Sequence, residues 1–118
     1  MSINECREIY REAFGTDKDF ESRLFSACAD YCKALCINGK TVSMLFALPC
    51  NIHNGSGIIP AYYIFAAATK KEFRGKGYMT QLINSLETDR LLFLKPADAP
   101  LFKFYEKLGF RRFEISAD

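Results

Sequence analysis

The chain of 118 residues has no surplus of charge, no long apolar run and a single histidine. Each scarcity removes a class of function. The 16 basic residues stand against 14 acidic ones, a net charge of +2. With no basic face to gather it, that is too little to bind nucleic acid by counterion release. No stretch reaches the roughly 18 apolar residues of a membrane span. The N-terminus, MSINECREIYREAF, is charged and amphipathic, unlike a secretory signal. The expected setting is the cytoplasm, with neither nucleic acid nor membrane as partner.

Metal chemistry is also poorly provided for. The five cysteines, at 6, 28, 32, 36 and 50, include no Cys-x-x-Cys pair, and His53 has no second histidine to join it. An odd count without a secretion signal predicts reduced thiols. In a strand over 31–37, Cys32 and Cys36 share a face with Cα atoms roughly 13 Å apart at about 3.3 Å per residue. Zinc needs sulfurs about 2.3 Å from one centre. The cysteines therefore read as small buried hydrophobes, and no metal is expected.

What remains is a chain with 49% hydrophobic residues, enough for one domain over 1–118 and one modest core. Residues 2–14 predict an amphipathic helix with Ile3, Cys6, Tyr10, Ala13 and Phe14 on one face, closed by Gly15. Thr16 or Asp17 can cap a second helix with Phe20, Leu24 and Cys28 inward. A strand over 31–37 leads into Asn38-Gly39, a strong hairpin signal because both central positions of a type I′ turn need positive φ. The returning strand, 41–50, alternates Val42, Met44, Phe46 and Leu48 on one face and is expected to end at Pro49. Residues 51–57 read as a polar loop, and AYYIFAAAT (61–69) as a buried third strand. The continuously apolar RLLFLKP (90–96) suits a central strand. Asp98 and Pro100 can open a last helix with Leu101, Phe104, Tyr105 and Leu108 along it. Gly109 stands at its end, and FRRFEI can begin a final strand.

The most informative segment is FRGKGYMTQLINSLE, 73–87. Arg74, Gly75, Lys76 and Gly77 form a short basic turn. Met79, Leu82, Ile83 and Leu86 then fall at helical spacing. Strand, glycine turn and helix in that order aim free backbone N–H groups and a helix dipole at an anion, most naturally a phosphate. Two familiar phosphate motifs are not met. No Ser or Thr follows Lys76 as a P-loop requires. After Gly75 and Gly77 the third glycine position of the dinucleotide fingerprint is Thr80.

The order α-α-β-β-β-α-β-α, with a further strand at the end, resembles the GNAT superfamily of acetyl-CoA-dependent N-acyltransferases. Two segments carry the resemblance. ATKKEFRGKGYMTQLINSLE resembles the pyrophosphate-binding motif R/Q-x-x-G-x-G/A, with Arg74 and Gly77 matching and Met79 standing where Gly or Ala is usual. LFLKPADAPLFKFYEKLGF resembles the later strand-helix signature that ends in Tyr-x-x-x-Gly-Phe. The fold implied is α/β (α+β), a mixed, mostly antiparallel sheet flanked by helices.

The family's roles then fall on named positions. The pantetheine arm of acetyl-CoA, a cosubstrate, would lie along Ala67, Ala68 and Thr69. Its pyrophosphate would meet the turn of Arg74, Gly75, Lys76, Gly77, Tyr78, Met79 and Thr80. Tyr105 matches the residue that protonates the departing thiolate, a task suited to a phenol of reference pKa about 10. The reaction implied is direct transfer of an acetyl group to the primary amine of a small molecule or peptide, with a strand N–H near Ala68 stabilising the oxyanion. A general base is not evident. His53 and Glu72 are weak candidates for it, Cys50 is a weak candidate nucleophile with nothing nearby in sequence to activate it, and Tyr62, Tyr63, Ile64 and Phe65 occupy the strand where many members carry a carboxylate. Phe14, Phe20 and Phe25 read more simply as core than as an acceptor surface.

Against the family pattern the resemblance leads one to expect no leading strand before the first helix and no closing hairpin after Gly109-Phe110, and Asp98 stands where Asn is common. Three readings stay open: a piece of a longer protein, a sheet completed by a homodimer, or a non-catalytic relative that binds coenzyme A or acts as an interaction module.

Overall fold

A computed structural model describes residues 2–15, 17–86, 88–96 and 99–111. Its elements run α1 (Ile3–Phe14), α2 (Lys18–Cys28), β1 (Cys32–Ile37), β2 (Lys40–Asn54), β3 (Gly57–Thr69), α3 (Tyr78–Asn84), β4 (Leu91–Leu94) and α4 (Ala99–Lys107). The order matches the sequence expectation. The proposed final strand and the Asp98 cap lie outside the described residues.

The helices begin where side chains supply acceptors. Ser2 Oγ accepts from the Glu5 N–H at 3.3 Å, and Asp17 Oδ1 accepts from the Phe20 N–H at 3.0 Å. Both helices are rotated relative to the predicted faces. The buried residues of α1 are Cys6, Ile9 and Tyr10, and those of α2 are Glu21, Leu24 and Phe25. Ile3, Phe14 and Phe20 are exposed instead. The cause is an ionic clamp that hydropathy could not show. Glu21 accepts from Arg11 at 2.7 and 2.8 Å and from Arg7 at 2.8 Å. Facing that carboxylate toward α1 moves Phe20 outward.

The sheet order is β1-β2-β3-β4. β1, β2 and β3 are antiparallel neighbours, and β4 lies parallel to β3. Asn38 and Gly39 have φ of 51° and 80°, as a type I′ turn demands. Two expectations fail here. β2 passes through Pro49 to Asn54, so the 51–57 loop is really a strand hairpin. β1 stops opposite Phe46, so Pro49, paired only with Tyr62 of β3, interrupts no ladder on the β1 side. β4 was expected to be central and is the outermost strand among the described residues. Its apolar run reflects two covered faces: Leu92 and Leu94 pack into one cluster while Phe93 stacks on Tyr63.

A cluster lies on each face of the sheet. Cys6, Ile9, Tyr10, Leu24, Phe25, Cys32, Met44, Phe46 and Ala68 join α1 and α2 to one side. Leu45, Ala47, Ile64, Met79, Leu82, Ile83 and Tyr105 join α3 and α4 to the other. All five thiols are free. Cys6 and Cys32 are buried as expected, Cys28 and Cys50 are half-buried, and Cys36 is exposed. A slip in the β1–β2 register between Leu35 and Cys36 accompanies the outward turn of Cys36. The hydrogen bond with the neighbouring Cys32 sulfur, and then burial, push the Cys6 thiol up and keep it protonated.

Candidate functional site

The site begins where β3 and β4 part. Ala61–Ile64 pair with Leu91–Leu94, β4 ends, and β3 runs on to Thr69. Beyond Ile64, β3 has β2 on one side and no described strand on the other. Its register also slips there. Met44 faces Ala68 and Phe46 faces Phe65, so Leu45 alone stands against Ala66 and Ala67. This is a β-bulge, and Ala66 takes the left-handed φ of 55°. The bulge bends β3 and leaves main-chain donors and acceptors that an extended ligand can pair with, as an added strand would. Sequence reading did not find it. The Ala66-Ala67-Ala68 run, small enough to tolerate such a bend, is its only trace.

Thr69 leads into the glycine turn. Gly75 and Gly77 both have φ of 79°, and a Cβ at either would meet nothing within 4 Å. The turn is therefore left-handed twice and open above. Gly77 caps α3 with no side-chain hydrogen bond, and its carbonyl accepts from the Gln81 N–H at 3.0 Å. The N–H groups of Tyr78, Met79 and Thr80 precede that first helical bond and so have no acceptor within the helix. The cations are not all free to reach outward. Arg74 Nε donates to the Thr69 carbonyl at 2.9 Å, and its Nη2 lies 3.9 Å from Glu12 Oε1. The same Glu12 oxygen accepts from the Lys71 N–H. Lys76 Nζ sits 5.6 Å from the centre of the Phe73 ring. Glu12, which α1 brings to Lys71 from 59 residues away and to Arg74 of the turn, had no signal in the sequence.

Tyr105 lies 8% exposed in the cluster that includes Ile64 and Met79, with Ala67 packed against it. The structure thus brings Tyr105 to the same layer as the bulge and the first turn of α3. Burial raises its phenol pKa above the ordinary value, so it stays protonated at neutral pH. Phe104 and Phe110 hold the ring edge-on at 5.1 and 5.7 Å.

The weak base candidates, His53 and Glu72, and the weak nucleophile candidate, Cys50, are not gathered. His53 is exposed on the β2–β3 hairpin, opposite Ile58. Glu72 pairs with Lys70 at 3.1 Å and is 62% exposed. Cys50 stands on β2 across from Ala61. Among the described residues, no group of three or more His, Cys, Asp or Glu side chains could hold a metal ion. None of the helices is long and apolar enough to cross a membrane, among the same residues.

A parallel pair that separates beside a bulge, with a glycine turn opening the next helix, defines an acetyltransferase-type α/β fold. The sequence profile of the acetyltransferase (GNAT) domain matches residues 2–113, and the chain belongs to that family. Solved structures agree on the fold. A glucosamine-6-phosphate N-acetyltransferase from Arabidopsis thaliana superposes with a TM-score of 0.69 at 16% identity, over 100% of this chain and 92% of that one. An acetyltransferase from Trypanosoma brucei gives 0.67 at 18%, over 98% and 89%. A structure described as a transcriptional regulator from Bacillus halodurans gives 0.71 at 18%, over 100% and 94%. No curated protein matches the chain in sequence.

Proposed function

We propose that this chain is a cytoplasmic N-acetyltransferase that moves an acetyl group from acetyl-CoA to a primary amine by direct transfer. The observation that carries the reading is the open flank of β3 beyond Ile64, continuous with the glycine turn and backed by Tyr105. Acetyl-CoA as donor substrate supplies the activated thioester. The residues present suit it. The main chain of Ala67, Ala68 and Thr69 would pair with the pantetheine amides. The N–H groups from Gly75 to Thr80 would receive the pyrophosphate. Arg74 contributes mainly by fastening this turn to the strand it must align with.

In the reaction the neutral amine nitrogen attacks the thioester carbonyl. A C–N bond forms, the C–S bond breaks, the amine gives a proton to solvent, and the thiolate takes one from the Tyr105 hydroxyl. Solvent then reprotonates Tyr105. A β3 N–H near Ala68, fixed before reaction, would stabilise charge on the carbonyl oxygen. Calorimetric titration with acetyl-CoA and with ATP tests the donor. We expect binding of acetyl-CoA alone, and thiol release on adding amines. Binding without thiol release across an amine panel would leave a non-catalytic coenzyme A module.

A further inference from the structure

We infer that the acceptor is a small amine with an aromatic or apolar body and a carboxylate that pairs with Lys95, an amino-acid-like compound rather than a polyamine or a basic peptide. This rests on the transferase reading above and narrows it. A cleft of about 190 Å³ opens where β3 and β4 separate, lined by Tyr10, Phe14, Tyr63, Phe65, Ala66 and Lys95 among others. Its volume is below the roughly 300–1,000 Å³ of pockets for drug-sized ligands, which favours a small acceptor. Ala66, the bulged residue, forms part of its wall, so the cleft adjoins the main chain proposed to hold the thioester.

The lining sets the chemistry. Tyr10 and Phe14 lie 5.2 Å apart, centre to centre, and Tyr63 and Phe65 6.1 Å apart. Phe14 keeps 49% of its surface exposed, an apolar area that a ligand body would cover. Lys95, the first residue after β4, is the sole charge on the cleft wall, and no carboxylate lines it. Among the described residues Lys95 has no ion-pair partner. A polycationic acceptor would meet one like charge and nothing to neutralise it. An acceptor carboxylate would gain an ion pair, and its apolar body would bury Phe14 and Tyr63. Transfer to such an acceptor forms its N-acetyl derivative and free coenzyme A thiol, with acetyl-CoA as co-reactant.

Saturation-transfer NMR of L-phenylalanine, phenethylamine and spermidine against the full chain, with and without acetyl-CoA, tests this. We expect L-phenylalanine to bind more tightly than phenethylamine and spermidine to show no binding. Lys95→Glu, on the surface, should lower the ratio of L-phenylalanine to phenethylamine affinity about tenfold, as attraction becomes repulsion. Phe14→Ala should weaken both aromatic ligands together. Spermidine binding as tightly as L-phenylalanine, or an unchanged ratio in Lys95→Glu, would overturn the inference. Acetyl-CoA titration of the same samples separates the two readings. Donor binding with transfer only to spermidine overturns the acceptor class and keeps the transferase. The expected ratio without donor binding keeps the acceptor site and removes the transferase.

Discussion

The Thr69 carbonyl accepts a hydrogen bond from Arg74 Nε at 2.9 Å, and this contact ties the glycine turn to the end of the strand it follows. The Thr69 hydroxyl is itself held by Ser43 Oγ at 2.8 Å. Arg74 thus acts as a positioning residue for the turn. Arg74→Gln should weaken acetyl-CoA binding about tenfold by calorimetry, a loss of about 1.4 kcal/mol. Far-ultraviolet circular dichroism should be unaltered. An unaffected dissociation constant would show that the turn keeps its place without the latch.

Gly77 must hold φ of 79° at the start of α3. An Ala there has open space but the wrong backbone preference, so Gly77→Ala should cost about 1–2 kcal/mol of stability in urea denaturation. Donor affinity should fall with it, because the N–H groups following Gly77 would tilt.

The bulge makes an opposite forecast. Glycine normally weakens a strand, yet Ala66 already sits at φ of 55°. Ala66→Gly should therefore raise stability, by up to about 1 kcal/mol, and Ala66→Val should lower it by more than that. A glycine variant clearly less stable than the parent would argue against the left-handed bulge.

Tyr105→Phe keeps the ring and removes only the proton donor. We expect kcat to fall about a hundredfold or more, with acetyl-CoA affinity nearly constant and the melting temperature close to the parent's. The phenol pKa is raised by burial in the folded state. Its contribution to stability is accordingly complete below the unfolded value of about 10 and is lost as pH rises through the higher folded value. Alkaline melting curves of the parent and the variant should diverge above about pH 10 and coincide below it.

The Glu21 clamp has the reverse sign. Hydrogen bonds from Arg11, and then from Arg7, lower the Glu21 pKa despite the burial that opposes them. The stability it contributes is present above the unfolded value of about 4.3 and disappears as pH falls through the lower folded value. Glu21→Gln should cost about 2 kcal/mol at pH 7 and much less near pH 2, measured by chemical denaturation.

Much of the fold was legible because it rests on local rules. The apolar spacing of Met79, Leu82 and Ile83 marked α3, the positive φ needed at Asn38-Gly39 marked a hairpin, and the Asp17 side chain marked a helix start. Gly75 and Gly77 announced an open turn for the same reason, since left-handed backbone selects glycine. These features depend on neighbours within a few residues, and a linear chain records such neighbours directly.

The rest depended on residues that meet only in three dimensions. Hydropathy placed Phe20 inward and could not know that Glu21 faces two arginines of α1. Pro49 read as a stop because nothing local says that β1 has already ended beside it. Glu12 reaches Lys71, 59 residues away, and the bulge at Ala66 exists only as a mismatch of register between β2 and β3. The cleft joining Phe14, Tyr63 and Lys95 belongs to the same group. By itself the sequence determined the order of the elements and the family resemblance, because backbone preference and short motifs are local properties. Tertiary structure alone decided which faces were buried, where the parallel strands part and what lines the gap, because packing and ion pairing are settled by whichever distant residues arrive alongside.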